Sequence, residues 1–368
     1  MSQCCPRKCR PAVIALLGLT IFLESCSVAT LKGAASNEGI SSNSNSSAPS
    51  FRRIDEPEIL EPASIITGGL PPFSGILRDV TNILVGSKEP IHFKQPVAVS
   101  GYANSLYVVD GEGGTEGPVV FRYDLIDKTI ETIGKIGINF KGDPMGIYVA
   151  PDLGFYIADP DGKKVLHFDK SGKLLQTFQD IKNLSRPVDV VVDENSGDVF
   201  IADGSYSHIV VFNKVATPVY AIGARGTGPG RFRAITALAK GPNGLYVADR
   251  IELPVQELAL GGKDSVAGAF RYSLGEGDLI WPTAIALDKN NRVYVSDKSD
   301  NTIKIFDDIR LLATVGGGGA APGRFRLITD MWMSDDGYLY VADSLNRRVQ
   351  VFRVIPEREQ RQRAMTLQ

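Results

Sequence analysis

The chain has 368 residues, of which 43% are hydrophobic and 22% charged, with a formal net charge of −2. This is the composition of a globular protein, and it supplies no global field for nucleic acid or an acidic membrane surface. All four cysteines (Cys4, Cys5, Cys9, Cys26) fall within the first 26 residues, which excludes a disulfide or a thiolate metal site from the folded body.

In chain order, Arg7, Lys8 and Arg10 precede an apolar run, Pro11 to Leu23, of thirteen residues. A bilayer span needs about 20, so the run reads as the h-region of an export signal. The following Leu23-Glu24-Ser25-Cys26 resembles the bacterial lipobox. That resemblance implies cleavage after residue 25, lipid attachment at Cys26 and, with Ser27 next, sorting to the outer membrane. Residues 26–60, rich in Ser and Asn between 41 and 47, are expected to form a flexible tether.

From there, one motif recurs six times: an aromatic residue, then Val or Ile, then any residue, then Asp. Its copies end at Asp110, Asp159, Asp203, Asp249, Asp297 and Asp343, in steps of 49, 44, 46, 48 and 46 residues. That period is near the ~40–50 residues of a propeller blade. Each unit opens with a short strand (Pro96–Val99, Pro144–Ile147, Pro187–Val190, Ile235 onward, Pro282–Ile285, Ile328 onward), and the Asp motif closes a second. A third strand is read in His167-Phe168, Ile209–Phe212, Ile303–Phe306 and Val349–Phe352. A fourth follows at Leu174–Phe178, Val219–Ile222 and Leu311–Val315. The expected fold is all-β: a six-bladed β-propeller of four-stranded antiparallel blades over residues 61–355, with a charged tail at 356–368.

Asp343-Ser344-Leu345-Asn346-Arg347-Arg348-Val349-Gln350-Val351-Phe352 closely resembles the NHL-repeat signature. Gly228-Pro229-Gly230-Arg231-Phe232 and Pro322-Gly323-Arg324-Phe325 resemble that family's inter-blade connection. The resemblance spans about residues 76 to 355 and implies an NHL-type propeller. Blade four departs from the pattern, since Arg250 to Leu260 lacks the Asn-Arg pair, and blade one carries an insertion from Gly111 to Gly117. The last repeat has no fourth strand of its own. Because Ile76–Gly86 parallels Phe306–Gly316, an N-terminal strand at 76–86 is expected to complete blade six and close the ring.

Strand direction puts the turn after the second strand and the inter-blade linker at the same end, where the length variation falls and binding is expected. Just before the inner strands lie Lys94, Lys141, Arg186, Arg233 and Arg326, with Trp281 in the equivalent place of blade five and Arg231 and Arg324 beside two of them. This collar suits an acidic protein segment or another polyanion. The motif aspartates are expected to accept local hydrogen bonds in their turns. Asp189 aligns with Ala98, Gly146, Ala237 and Ala284 near the axis, while Asp330 reads as offset by one residue. Related lyases use channel histidines, in one case with zinc, but His92, His167 and His208 are scattered here. Gluconolactonase-like propellers use channel calcium, and Asp189 is the one residue offered for that ion. The expected function is a non-catalytic envelope lipoprotein that docks envelope proteins, with no nucleic-acid partner, no catalytic residue and no cofactor. The alternative is a metal-dependent lyase or lactonase at the channel.

Overall fold

Each motif module folds as one blade. Its apolar strands are buried on both faces between neighbouring blades, which is why the runs read as nearly continuous hydrophobic stretches. A computed structural model describes residues 59–70, 90–111, 117–134, 136–242, 244–261 and 267–366. The segment read as an export signal, Cys26, residues 26–58 of the stretch read as a tether and residues 76–86 lie outside these, whereas Ile59 and Leu60, at the end of that stretch, are described and buried. Six sheets of four antiparallel strands form the propeller. The inner strands are Pro96–Tyr102, Ile147–Val149, Pro187–Asp193, Ile235–Lys240, Pro282–Leu287 and Ile328–Met333.

Six apolar clusters hold the ring together, each spanning two neighbouring blades. The one between blades six and one joins Val341's neighbours Tyr340, Ala342 and Val349 to Val99, Leu106 and Val108, so the first and last modules pack as any other pair.

Blade six is completed by an N-terminal strand, as expected, but that strand is Leu60–Ile66 and not 76–86. It runs antiparallel to Arg348–Val354, pairing Leu60 with Val354 and Ile66 with Val349. The register slips between Pro62 and Ser64, consistent with a proline that cannot donate to the ladder and so needs an edge or a bulge. After it, Gly68–Gly69 pairs with Ile91–His92 ahead of blade one. Gly68 sits at φ +138°, where a β-carbon would overlap the Ile91 carbonyl. Only glycine fits that crossing.

The charged tail forms a helix, Glu357–Thr366. Its Glu359 and Arg363, one turn apart, meet Arg353 of the third strand and Glu61 of the N-terminal strand in a four-member ion network. Blade four carries a full outer half, Val255–Ala259 paired with Phe270–Leu274, where the repeat pattern is lost. In blade two the inner strand begins at Ile147, later than the Pro144 expected. In five blades the residue after the motif aspartate donates its N–H to the linker before the inner strand, as Gly204 does to Arg186 and Lys298 to Trp281. Blade two has Pro160 there and has no such donor.

Candidate functional site

The six motif aspartates are buried and fix the mouth of the propeller. In each blade, carboxylate oxygen accepts backbone N–H from the linker leading into the inner strand: Lys94 and Gln95 to Asp110, Lys141 to Asp159, Ser185 and Arg186 to Asp203. Arg233 and Ala234 donate to Asp249, Ile280 and Trp281 to Asp297, and Arg326 to Asp343. In blades two to five the turn after the second strand donates to the same carboxylate, as from Gly162, Ser205, Ile251 and Ser299. Burial works to raise the Asp297 pKa. The Lys304 ammonium, the Ser299 hydroxyl and the backbone donors overcome it and hold the carboxyl well below its ordinary range.

These bonds use the backbone of the collar residues and leave their side chains free. Lys94, Lys141, Arg186, Arg231, Arg233 and Arg326 are exposed around the mouth. Arg324 is not part of that set: it is half-buried and donates to the Gly316 carbonyl at 2.7 Å, bracing the loop between blades five and six. Trp281 is 37% exposed and lies against two cations, with Arg250 Cζ 5.1 Å and Lys298 Nζ 4.8 Å from its ring centroid.

The mouth opens into an axial cavity of about 540 Å³. Of the collar residues, only Arg186 reaches its wall. The register of five inner strands slips one residue after the first paired position, at Val97, Val188, Thr236, Thr283 and Thr329. Such a bulge re-aims a side chain, and all five line the cavity, together with Met145 of blade two. The threonine hydroxyls of blades four to six each donate to the next blade's inner strand, to Pro282, Ile328 and Pro96. Arg250 and Lys298, missed in the sequence, line the rim because each directly follows a motif aspartate.

Deeper in the cavity, the strand register corrects the placement of Asp330. Asp189 pairs with Ala202 and Asp330 with Ala342, the same register in blades three and six, so there is no offset. In a six-fold ring these blades face each other. Each carboxyl accepts two backbone N–H bonds, one its own neighbour's and one from the next blade: Val190 and Leu238 at 2.8 and 2.7 Å for Asp189, Met331 and Val99 at 2.8 and 2.9 Å for Asp330. Gly146 makes room, since a β-carbon there would overlap the Asp189 carboxyl. Burial pushes Asp189 up to about 7 against the pull of these donors. Burial, and then the facing Asp189, raise Asp330 well above the carboxylate range. Among the described residues, no three of His, Cys, Asp and Glu come together as a metal-holding group.

This pair has a signature in stability. Unfolded, Asp189 gives up its proton near pH ~3.9, whereas in the folded chain it holds it to about 7. Between those values the folded state binds more protons. Its stabilisation is therefore complete below the lower pH and is lost as pH rises, at up to about 1.4 kcal/mol per pH unit. Urea-unfolding free energies of the native chain are expected to fall from pH 5 to pH 7 relative to a D189N/D330N variant. Parallel profiles would contradict the assignment.

No family model and no curated protein matches the sequence. Among solved structures, a structural genomics protein of unknown function from Bacteroides thetaiotaomicron VPI-5482 is similar at 18% identity and TM-score 0.49, covering 74% of this chain and 71% of that one. Hydrazine synthase from Kuenenia stuttgartiensis is similar at 12% identity and TM-score 0.49, covering 73% and 98%.

Proposed function

We propose that this chain is an NHL-type propeller lipoprotein, exported and anchored through Cys26 to the outer membrane, that docks an acidic segment of another envelope protein on its mouth face without catalysis. The observation that carries this reading is the fixed display of charge at the mouth. Lys94, Lys141, Arg186, Arg233 and Arg326 each have their backbone N–H held by a buried aspartate, while their side chains stay exposed. A ring of cations on a rigid frame loses little freedom when it meets an acidic partner, which favours both steering and affinity. The hydrogen bonding of Asp189 favours this reading over a metal-dependent lyase or lactonase, because both its oxygens already accept backbone N–H groups that tie blade three to blade four.

Reversing two cations, R233E with R326E, is expected to lower partner capture from native envelope by about tenfold or more with little change in melting temperature. Undiminished capture contradicts the docking role. A calcium or zinc ion retained through purification and lost in D189A would instead support the catalytic reading.

A further inference from the structure

Three cations line the cavity, Arg186 of blade three, Arg250 of blade four and Lys298 of blade five. Arg250 and Lys298, from blades four and five, flank Trp281 and line one side of the rim. Among the described residues neither has a carboxylate within ion-pair distance, so two like charges share one aromatic ring with nothing to neutralise them. Blade two faces blade five in a six-fold ring, and it brings Asp143 and Asp161 to the opposite side of the same cavity. Below them lie the carboxyls of Asp189 and Asp330. One position of the wall in each blade differs between the halves, with Val97, Met145 and Val188 on blades one to three and Thr236, Thr283 and Thr329 on blades four to six. A volume of about 540 Å³ is within the ~300–1,000 Å³ of small-molecule sites.

We infer that the cavity binds a small zwitterion, with its carboxylate or phosphate between Arg250 and Lys298 and its primary ammonium toward Asp143 and Asp161. An oxyanion there relieves the repulsion between the two cations, and the guanidinium and ammonium supply charge-assisted donors to it. Asp143 and Asp161 offer the ammonium end two exposed carboxyl groups, and Val97, Met145 and Val188 take the aliphatic stretch between the two charges. This site is separate from protein docking at the outer collar, whose Arg233 and Arg326 do not line the cavity.

The test is titration calorimetry of the full folded chain with triglycine and with phosphoethanolamine, the first representing a peptide source and the second a lipid headgroup. Propionate and butylamine serve as half-ligands. At least one zwitterion is expected to bind one to one, about tenfold or more tighter than either half-ligand. R250Q/K298Q and D143N/D161N are each expected to weaken it by about tenfold, and R233E/R326E to leave it unchanged. All six positions changed in these variants are exposed, and unaltered melting curves confirm that each variant folds. The inference is overturned if neither zwitterion binds at ~10 mM, a concentration that would reveal even weak millimolar affinity. It is also overturned if a half-ligand binds equally well, or if neither double variant changes the affinity.

Discussion

A chain that lacks residues 59–67 is expected to melt at least ~10 °C lower than the same chain with them, or not to fold cooperatively at all. Leu60 and Ile66 are 3% and 6% exposed, and the adjoining Ile59 is 1% exposed. Ile59 and Leu60 pack in the cluster between blades five and six, while Ile66 packs between blades six and one. Burial of each such side chain contributes about 1.5–3 kcal/mol, and the ladder to Arg348–Val354 adds hydrogen bonds at ~1 kcal/mol each. Ile355 also donates to the Ile59 carbonyl at 2.8 Å. Set against a net stability of ~5–15 kcal/mol, these losses decide whether the ring holds. The deletion also bares the Arg348–Val354 edge, a template for pairing with other chains. Calorimetry of residues 59–368 against 68–368 measures the effect, and addition of a peptide of residues 59–67 is expected to restore part of it. Coincident melting curves would contradict the closure.

The second large effect is expected at Asp343. Its Oδ2 accepts from Asn346 Nδ2, Arg348 Nε and Gln350 Nε2, while Oδ1 takes the Arg326 N–H. Arg348 is 7% exposed and also donates to the carbonyls of Ala320, Ala321 and Arg324. Gln350 accepts from Gly323 N–H and donates to Arg324. Asp343, Asn346, Arg348 and Gln350 thus clamp the loop that leads from blade five into blade six. D343A leaves a buried guanidinium without its counter-ion, a change that costs ~3–5 kcal/mol. Urea unfolding is expected to show a loss of that size, and D343L combined with R348M is expected to recover much of it, because the unpaired charge leaves with its partner. A loss below ~1 kcal/mol would show that the clamp contributes little more than an exposed pair.

The ring itself was legible because every blade repeats the same requirement. A buried aspartate must catch the linker that leads into its own blade, so the motif recurs at a fixed place and counts the blades. Gln256 repeats the Gln350 contact, accepting from Gly230 N–H and donating to Arg231, so the clamp survives even where blade four loses its Asn-Arg pair. That blade's third strand was obscured because all five of its residues are buried, Gln256 and Glu257 among them. Glu257 is held by the Tyr246 hydroxyl and Arg271. The closing strand was misplaced for a physical reason. Leu60–Ile66 buries only its ends and carries Pro62 at a bulge, whereas residues 76–86 have the apolar spacing of an outer strand. Hairpin length likewise hid the match between Asp189 and Asp330: Asp189 pairs with Ala202 and Asp330 with Ala342, so blade three has one more residue between the paired positions, and counting back from the motif aspartate shifts the alignment by one. Arg250, Lys298, Asp143 and Asp161 lie far apart in the chain and meet only because the ring brings one turn or linker from each blade to a common mouth.

The proposal that the mouth is the working face is tested most directly by photo-crosslinking in cells that make the protein. One reactive residue replaces exposed Ile251 in the blade-four turn at the mouth, and another replaces exposed Ile309 in the blade-five turn at the opposite end. A discrete protein adduct is expected from position 251, abolished by R233E/R326E, with none from position 309. Equal adducts from both positions, or an adduct at 251 that survives the charge reversal, would contradict it.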